Sequence, residues 1–112
     1  MIYHIMYKNE KVADIETDKN NKIIRFAKIM PDGIKQPFSG DNLSFVRFYD
    51  FLKDRCYEDC RENLQDILST VGMNNNDPYK WNKITHGVTW EDYFWIKYDD
   101  ENLTWEDVRV RP

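Results

Sequence analysis

The first thirty residues alternate between short apolar runs and polar clusters, which is typical of strands joined by tight turns. The apolar runs lie at 2–7, 12–15 and 23–29. Asn and Asp in the intervening clusters tolerate left-handed backbone conformations, so the chain can reverse its direction there. Residues 1–30 are therefore predicted to form a three-stranded antiparallel meander, which a loop rich in Pro and Gly follows.

From residue 45 the apolar positions repeat every three to four residues, which predicts an amphipathic helix. Its apolar face comprises Phe45, Phe48, Tyr49 and Leu52. An aromatic stripe of this kind could stack on a ligand or a base, but burial of aromatic rings is also how a small domain gains stability. We therefore expect this face to lie in the core.

Two further helices are predicted before residue 88. The second helix can end at Gly72 in the left-handed conformation, and its short link to the first helix predicts that the two are antiparallel neighbours. Asp77 can cap the third helix, with Pro78 at its first position and His86 at its C-terminal end, where the helix dipole favours a histidine. The buried stripe of the second helix is predicted to comprise Tyr57, Cys60, Leu64, Ile67, Leu68 and Val71.

The last quarter of the chain repeats the motif Thr-Trp-Glu-Asp, at 89–92 and at 104–107. In each copy the Thr hydroxyl can accept from a backbone N–H and the fourth residue can reach back, so both copies predict capped turns. The aromatic residues at 93–98 predict a strand between them, which an acidic turn follows. The pattern as a whole predicts an α+β fold with an N-terminal antiparallel meander, two to three helices and a late aromatic strand.

Length and composition favour one domain over residues 1–112, with a strand section at 1–30, a helical section at 43–87 and an acidic aromatic section at 88–112. A chain that is 41% hydrophobic and 32% charged is too rich in core-forming side chains for a disordered protein. Its longest unbroken apolar run, the four residues at 93–96, falls far short of the ~20 residues that cross a bilayer. Its first residues lack a secretory signal pattern. These features predict a cytoplasmic protein with no membrane partner.

Negative charge is concentrated near the C-terminus: the net charge is −4, and residues 89–112 carry seven acidic and three basic side chains. This balance argues against direct binding of nucleic acid, which needs a concentrated Lys/Arg surface. One interpretation is a docking surface for a basic partner, such as the nucleic-acid groove of another protein; the other is solubility alone. The candidate binding residues are Glu91, Asp92, Asp99, Asp100, Glu101, Glu106 and Asp107.

Motifs for catalysis are sparse, with no Gly-rich phosphate loop, no serine nucleophile elbow and no pair of histidines at metal-binding spacing. Cys56 and Cys60 would share one helix face, but a zinc site needs two more ligands, so free thiols are favoured. We therefore predict no catalytic residue, no metal and no cofactor. A hydrolase or metal-dependent enzyme would need His86 or the acids at 99–101 to converge in one cleft.

Five segments of the chain carry a resemblance to known proteins. They are Phe51-Leu52-x-x-Arg55-Cys56-Tyr57-x-x-x-Arg61-x-Asn63, Ile67-Leu68-x-x-x-Gly72, Lys83-x-Thr85-His86-Gly87, Asp92-Tyr93-Phe94-Trp95-Ile96-Lys97 and Leu103-Thr104-Trp105-Glu106-Asp107-Val108. With them the chain resembles small proteins of uncertain function from Gram-positive gut bacteria and their mobile elements. It is also similar to the region that precedes the kinase domain in HipA-type toxin relatives. The resemblance implies a non-catalytic module, because phosphoryl transfer in HipA-type proteins belongs to the following domain and this chain ends at Pro112.

The residues that recur in this resemblance are Arg55, Arg61, Asp92, Trp95 and Trp105. Their predicted role is structural: one of the arginines bridges to an acidic cap, Asp92 or Asp107, and the tryptophans pack against the helices. The expected function is that of a small intracellular interaction or regulatory protein, encoded by a phage or mobile element, that acts by binding another protein. A narrower alternative is an inhibitor of a defence nuclease of the anti-CRISPR type, whose acidic face mimics nucleic acid.

Overall fold

The structure, a computed structural model, describes residues 1–56, 63–73 and 76–110. Within these ranges the chain forms four strands and four helices, and the α+β class is as predicted. The strands are β1 (Ile2–Tyr7), β2 (Glu10–Thr17), β3 (Ile23–Lys28) and β4 (Phe94–Tyr98). The helices are α1 (Phe45–Lys53), α2 (Leu64–Thr70), α3 (Pro78–Thr85) and α4 (Trp105–Val108).

The sheet is antiparallel throughout, with the strand order β3-β2-β1-β4. Its first three strands are the predicted meander, and the polar turns between them contain Lys8 and Asn21 at positive φ angles of 52° and 65°. The late aromatic strand β4 pairs with β1, so that Tyr98 lies opposite Tyr3. The C-terminal quarter of the chain is thereby fixed to its first residues.

One face of the sheet forms the main core with α1. Phe48 and Leu52 of α1 are fully buried in this core, as predicted. Phe45, however, is 47% exposed and stacks on the ring of Tyr49, so the prediction that it lies in the core is wrong. The space beside Phe48 is taken instead by Phe38, whose ring centroid lies 6.3 Å away. The buried residues of the main core are Tyr3, Ile5, Val12, Ala13, Ile15, Phe38, Phe48, Leu52, Ile96 and Tyr98.

A buried glutamine holds the loop that carries Phe38. The side-chain amide of Gln36 donates hydrogen bonds to the carbonyl oxygens of Val12 at 3.0 Å and Met30 at 2.7 Å. Its side-chain oxygen accepts from the backbone N–H of Phe38 at 3.3 Å. Because a buried amide must be paired, Gln36 fixes the path of a segment that the sequence indicates only as a loop.

The helices pack differently from the prediction. In the described part of the chain α1 packs against α3, and α2 joins α3 through a small core of Leu64, Leu68, Met73 and Trp81, so the predicted pairing of α1 with α2 is wrong. The reason is the buried side chain of Asn82, which donates to the carbonyl of Leu52 at 3.0 Å and so joins α3 to the C-terminal turn of α1.

The predicted second helix is shorter in the structure, where α2 begins at Leu64. Val71 of its predicted stripe lies just after the helix and is exposed, because the chain turns at Gly72, which has a φ angle of 77°. Tyr57 and Cys60 of that stripe lie outside the described residues, as does Arg61.

Helix α3 begins and ends as predicted. The side chain of Asp77 caps it by accepting from the backbone N–H of Tyr79 at 2.9 Å, and Pro78 is its first residue. His86 is the C-cap and has a left-handed φ angle of 59°. Its carbonyl accepts from the backbone N–H of Ile96 at 2.8 Å, which joins the end of α3 to β4.

The other face of the sheet carries another small core, which α4 covers. It consists of Met6, Trp95 and Trp105, and the Trp95 indole N–H donates to the carbonyl of Lys8 at 2.6 Å. Side chains alternate between the two faces of a strand, so Trp95 lies opposite the core that holds its neighbour Ile96. The prediction that both tryptophans pack against the main helices is therefore wrong, because these two pack together on the far face.

Candidate functional site

The seven candidate acids form two groups, one near each end of β4. Three follow the strand directly, and two precede it. The last two lie in α4, which contacts Asn9 in the turn between β1 and β2, beside the start of β4. The first and last residues of β4 lie about 14 Å apart at the rise of an extended strand. The group after β4 is Asp99, Asp100 and Glu101; the group near its start is Glu91, Asp92, Glu106 and Asp107.

Asp92 makes the predicted bridge with Arg55. The guanidinium donates to both oxygens of the carboxylate, one of them at 3.1 Å, and also to the carbonyl oxygens of Gly87 at 2.5 Å and Phe94 at 2.9 Å. The Arg55 side chain is only 5% exposed. A buried guanidinium needs most of its donors paired, so Asp92 is held as part of the fold.

The contacts of Asp92 also explain why the two Thr-Trp-Glu-Asp motifs differ. Asp92 accepts from the backbone N–H of Phe94 at 3.0 Å and faces Arg55, so it does not reach back to Thr89. Asp107 of the second copy does reach back, and accepts from the backbone N–H of Thr104 at 2.8 Å. In the first motif the Thr89 hydroxyl does accept from the backbone N–H of Glu91 at 3.3 Å, as predicted, and only the predicted return contact of the acid is wrong there. The second motif begins helix α4.

Asp99 takes part in a cluster on the far face of the sheet. His4 lies between two carboxylates: its Nδ1 is 2.5 Å from an oxygen of Asp14, and its Nε2 is 3.1 Å from an oxygen of Asp99. Lys11 also approaches Asp14, at 3.4 Å. This contact joins the turn after β4 to the centre of the sheet.

Glu101 is held by the end of α3. One of its carboxylate oxygens lies 2.8 Å from Nε2 of His86, and the other accepts from the backbone N–H of Tyr98 at 2.9 Å. Partial burial by itself would raise the pKa of Glu101, but the contacts with His86 and Tyr98 outweigh it and leave the pKa below its ordinary value. The carboxylate is therefore stabilised in its charged form.

The two acids of α4 also have partners within the fold. Glu106 accepts from the side-chain amide of Asn9 at 3.2 Å. Its own backbone N–H and the Asn9 amide hold its pKa below the usual range. Asn9 in turn accepts from the backbone N–H of Trp105 at 2.9 Å, while Asp107 completes the N-terminal cap of the helix.

Glu91 and Asp100 remain exposed, and their carboxylates form no ion pair or side-chain hydrogen bond with the described residues. Five of the seven candidate acids are thus oriented by partners in the fold, and two extend freely into solvent. The partners His4, Asp14 and Asn9 were not singled out from the sequence. No sequence signal identifies them, because His4 lies 95 residues before Asp99, Asn9 lies 97 residues before Glu106, and Asp14 acts only through His4.

A cleft beside Arg55 was also not predicted. Two adjoining cavities of about 480 Å³ and about 510 Å³ lie there, and both are lined by Asp54, Arg55, Thr89 and Glu91. The first cavity extends to indole rings of α3 and of the loop before β4, and the second to Phe51 and Phe94. The cleft therefore has both carboxylates and aromatic rings in its walls.

The candidate catalytic residue His86 lies apart from this cleft, whereas Cys56 lines its first cavity. His86 contacts Glu101, but neither of them lines the two cavities at Arg55. Among residues 1–56, 63–73 and 76–110, no three His, Cys, Asp or Glu side chains are placed to hold a metal ion. Burial raises the pKa of the Cys56 thiol to about 11, which keeps it protonated and unreactive near neutral pH.

A comparison with models of known protein families, with curated proteins and with solved structures found no match. The resemblance to HipA-type relatives therefore stays a prediction. In the described part of the chain, no helix has the length and apolar character that crossing a membrane requires.

Proposed function

We propose that this chain is a small non-catalytic protein of the cytoplasm that binds another protein through its C-terminal acidic surface. The acidic surface is defined as the seven carboxylates of residues 91–107. Its partner is a protein with a basic surface. Origin in a phage or mobile element is part of the same proposal and rests on the resemblance alone.

The observation that carries the proposal is that this surface is exposed and yet ordered. Glu91, Asp99, Asp100, Glu106 and Asp107 are all exposed. His4, Asn9 and the cap of α4 orient three of them. Side chains that are already ordered lose less conformational entropy on binding, and a concentration of one charge accelerates association with the opposite charge.

The separation of the two acidic groups favours a partner that contacts each group with its own basic patch. Nucleic acid carries a far denser and continuous line of charge, about one per 1.7 Å of duplex axis. The acidic surface is interrupted along β4, where Lys97 is the basic residue between the groups. Binding to a protein is therefore better supported than mimicry of nucleic acid, which remains the alternative.

The test compares two variants of equal charge change. Immobilised wild-type protein, Glu91→Lys/Asp100→Lys and Asp41→Lys/Asp50→Lys would be exposed to lysate of the host, and bound proteins eluted with salt. All four acids are exposed, so each exchange changes stability by under about 1 kcal/mol. The binding constant of each retained protein, purified, would then be measured for all three chains.

We expect the wild type and the Asp41/Asp50 variant to retain the same basic protein from the lysate. The Glu91/Asp100 variant should not retain it. Release at high salt is expected because screening weakens exposed charge pairs. Equal retention by all three chains would contradict the proposal. Competition between this chain and DNA or RNA for the same partner would favour the inhibitor alternative.

A further inference from the structure

We propose that the cleft beside Arg55 receives a lysine or arginine side chain of the partner protein. This inference deepens the proposed function and rests on it, and it concerns a cleft that adjoins the acidic surface and shares Glu91 with it. The cleft is defined by the two cavities that share Asp54, Arg55, Thr89 and Glu91. Each cavity, at about 480 Å³ and about 510 Å³, is large enough for one long side chain.

The negative charge of the cleft favours binding of a cation. Among the described residues that line the cleft, Arg55 is the basic one, and its guanidinium is already paired with Asp92 and with two backbone carbonyl oxygens. Asp54 and Glu91 are exposed, and neither forms an ion pair with the described residues. The walls thus carry two uncompensated carboxylates beside a pair that is neutral as a whole.

The aromatic walls indicate what kind of cation fits. The first cavity is lined by Trp81 and Trp90, and Trp90 is 68% exposed. Indole rings attract cations through their faces and also cover aliphatic carbon. Lysine and arginine combine a charged head with an aliphatic stem, so they match both the carboxylates and the rings.

A metal ion fits the cleft less well. Two carboxylates alone make a poor site for calcium, which takes six to eight oxygen ligands, and the indole rings would contribute nothing to it. A basic side chain can contact both kinds of wall, because its charged head pairs with the carboxylates and its aliphatic stem packs on the indole rings. It would also place the partner beside Glu91, which belongs to the acidic surface as well.

The cleft can be tested without knowing the partner. The probe is N-acetyl-arginine methylamide, with the uncharged N-acetyl-norleucine methylamide as its matched control. Each would be titrated into isotopically labelled protein and followed by NMR at the indole N–H of Trp90 and the backbone N–H of Thr89. We expect saturable shifts at these groups with the arginine probe alone, at concentrations up to roughly 50 mM.

Three single substitutions test whether the arginine probe binds in the cleft. Asp54→Asn is expected to weaken binding of the arginine probe by about fivefold, and Trp90→Ala by a similar factor. Asp100→Asn removes an exposed acid outside the cleft and should leave binding unchanged. Equal shifts with both probes, no saturation, or no effect of Asp54→Asn would overturn the inference.

The two proposals fail in different ways. Asp54 lies in the cleft but not in the acidic surface, and Asp100 lies in the acidic surface but not in the cleft. A partner that Asp100→Lys releases while the arginine probe does not bind would refute the cleft and leave the proposed function standing. Probe binding at Trp90 without any acid-dependent partner would refute the proposed function.

Discussion

Arg55 and Asp92 are joined across 37 positions of the sequence by two hydrogen bonds between guanidinium and carboxylate. The same guanidinium donates to the carbonyl oxygens of Gly87 and Phe94, on both sides of Asp92 in the chain. One side chain at the end of α1 therefore fixes the whole segment that leads from α3 into β4. This segment also forms one wall of the cleft proposed to bind the partner.

Replacing Arg55 should destabilise the protein markedly. Arg55→Met keeps the length of the side chain but leaves the Asp92 carboxylate, which is 35% exposed, without its partner. We expect the free energy of unfolding to fall by about 3 kcal/mol, measured by urea denaturation. The control is Arg25→Met, which breaks the exposed pair with Glu16 and should cost under about 1 kcal/mol. Equal losses of unfolding free energy in the two variants would show that the buried pair of Arg55 contributes no more to stability than an exposed pair.

Two phenylalanines of α1 should differ strongly in their contribution to stability. Phe48→Ala removes a fully buried ring and should lower the free energy of unfolding by about 3 to 5 kcal/mol. Phe45→Ala, in the same helix, removes a ring that is half exposed and should cost about 1 kcal/mol or less. Circular dichroism during urea unfolding measures both. A folded Phe48→Ala variant with unchanged stability would refute the core assignment.

Two glycines with similar backbone angles separate conformational strain from steric clash. Gly72 and Gly87 have φ angles of 77° and 70°, where an alanine costs about 1 to 2 kcal/mol. A side chain at Gly72 would meet open space, whereas at Gly87 it would approach the buried side-chain oxygen of Asn82 to 2.7 Å. Gly87→Ala should therefore lower the thermal midpoint clearly more than Gly72→Ala. Equal midpoints would argue against the close packing of the loop on α3.

The contact between Glu101 and His86 should contribute to stability in a way that depends on pH. The pKa of Glu101 is lowered in the folded state, so its stabilisation is present above the ordinary value of 4.5 and is lost as the pH falls through the lowered value. The stability difference between wild type and Glu101→Gln should thus shrink below pH 4.5. Thermal midpoints of the two proteins measured across the acidic range test this. A difference that is constant with pH would contradict the assignment.

The cap of α4 should have a small but measurable effect. Asp107→Ala removes the acceptor for the backbone N–H of Thr104 and should cost about 1 kcal/mol. Asp100→Ala, an exposed acid of the same surface, should cost less than about 0.5 kcal/mol. Tryptophan emission during urea denaturation measures the free energy of unfolding of both variants. Equal costs would mean that the cap does not stabilise the helix.

These contacts also decide which acids can serve as probes of binding. Charge reversal at Asp99 or Glu101 would remove the contacts with His4 and His86 together with the charge. A loss of binding would then have two explanations. Glu91 and Asp100 have no such contacts with the described residues. Asp100 reports on the acidic surface alone, whereas Glu91 also lines the cleft beside Arg55.

Much of the fold could be predicted because its signals are local. Alternation of apolar residues indicated the meander, and Asp77 with Pro78 marked the start of α3. Phe45 and the end of the second helix were misjudged because periodicity shows which residues share a face, not how far a neighbouring element covers that face. The contact of Arg55 with Asp92 was predicted through the resemblance, since nothing in the spacing of the two residues indicates it.

The sequence by itself determined the strands, the helix caps and the concentration of acid near the C-terminus, because these depend on residues within a few positions of one another. Only the tertiary structure decided that β4 pairs with β1, and that His4 meets Asp99 across 95 positions. It also decided that Asp54 and Glu91 line one cleft. The physical reason is that sheet order and helix packing arise from the burial of whole faces against one another, and this choice determines which distant side chains become neighbours.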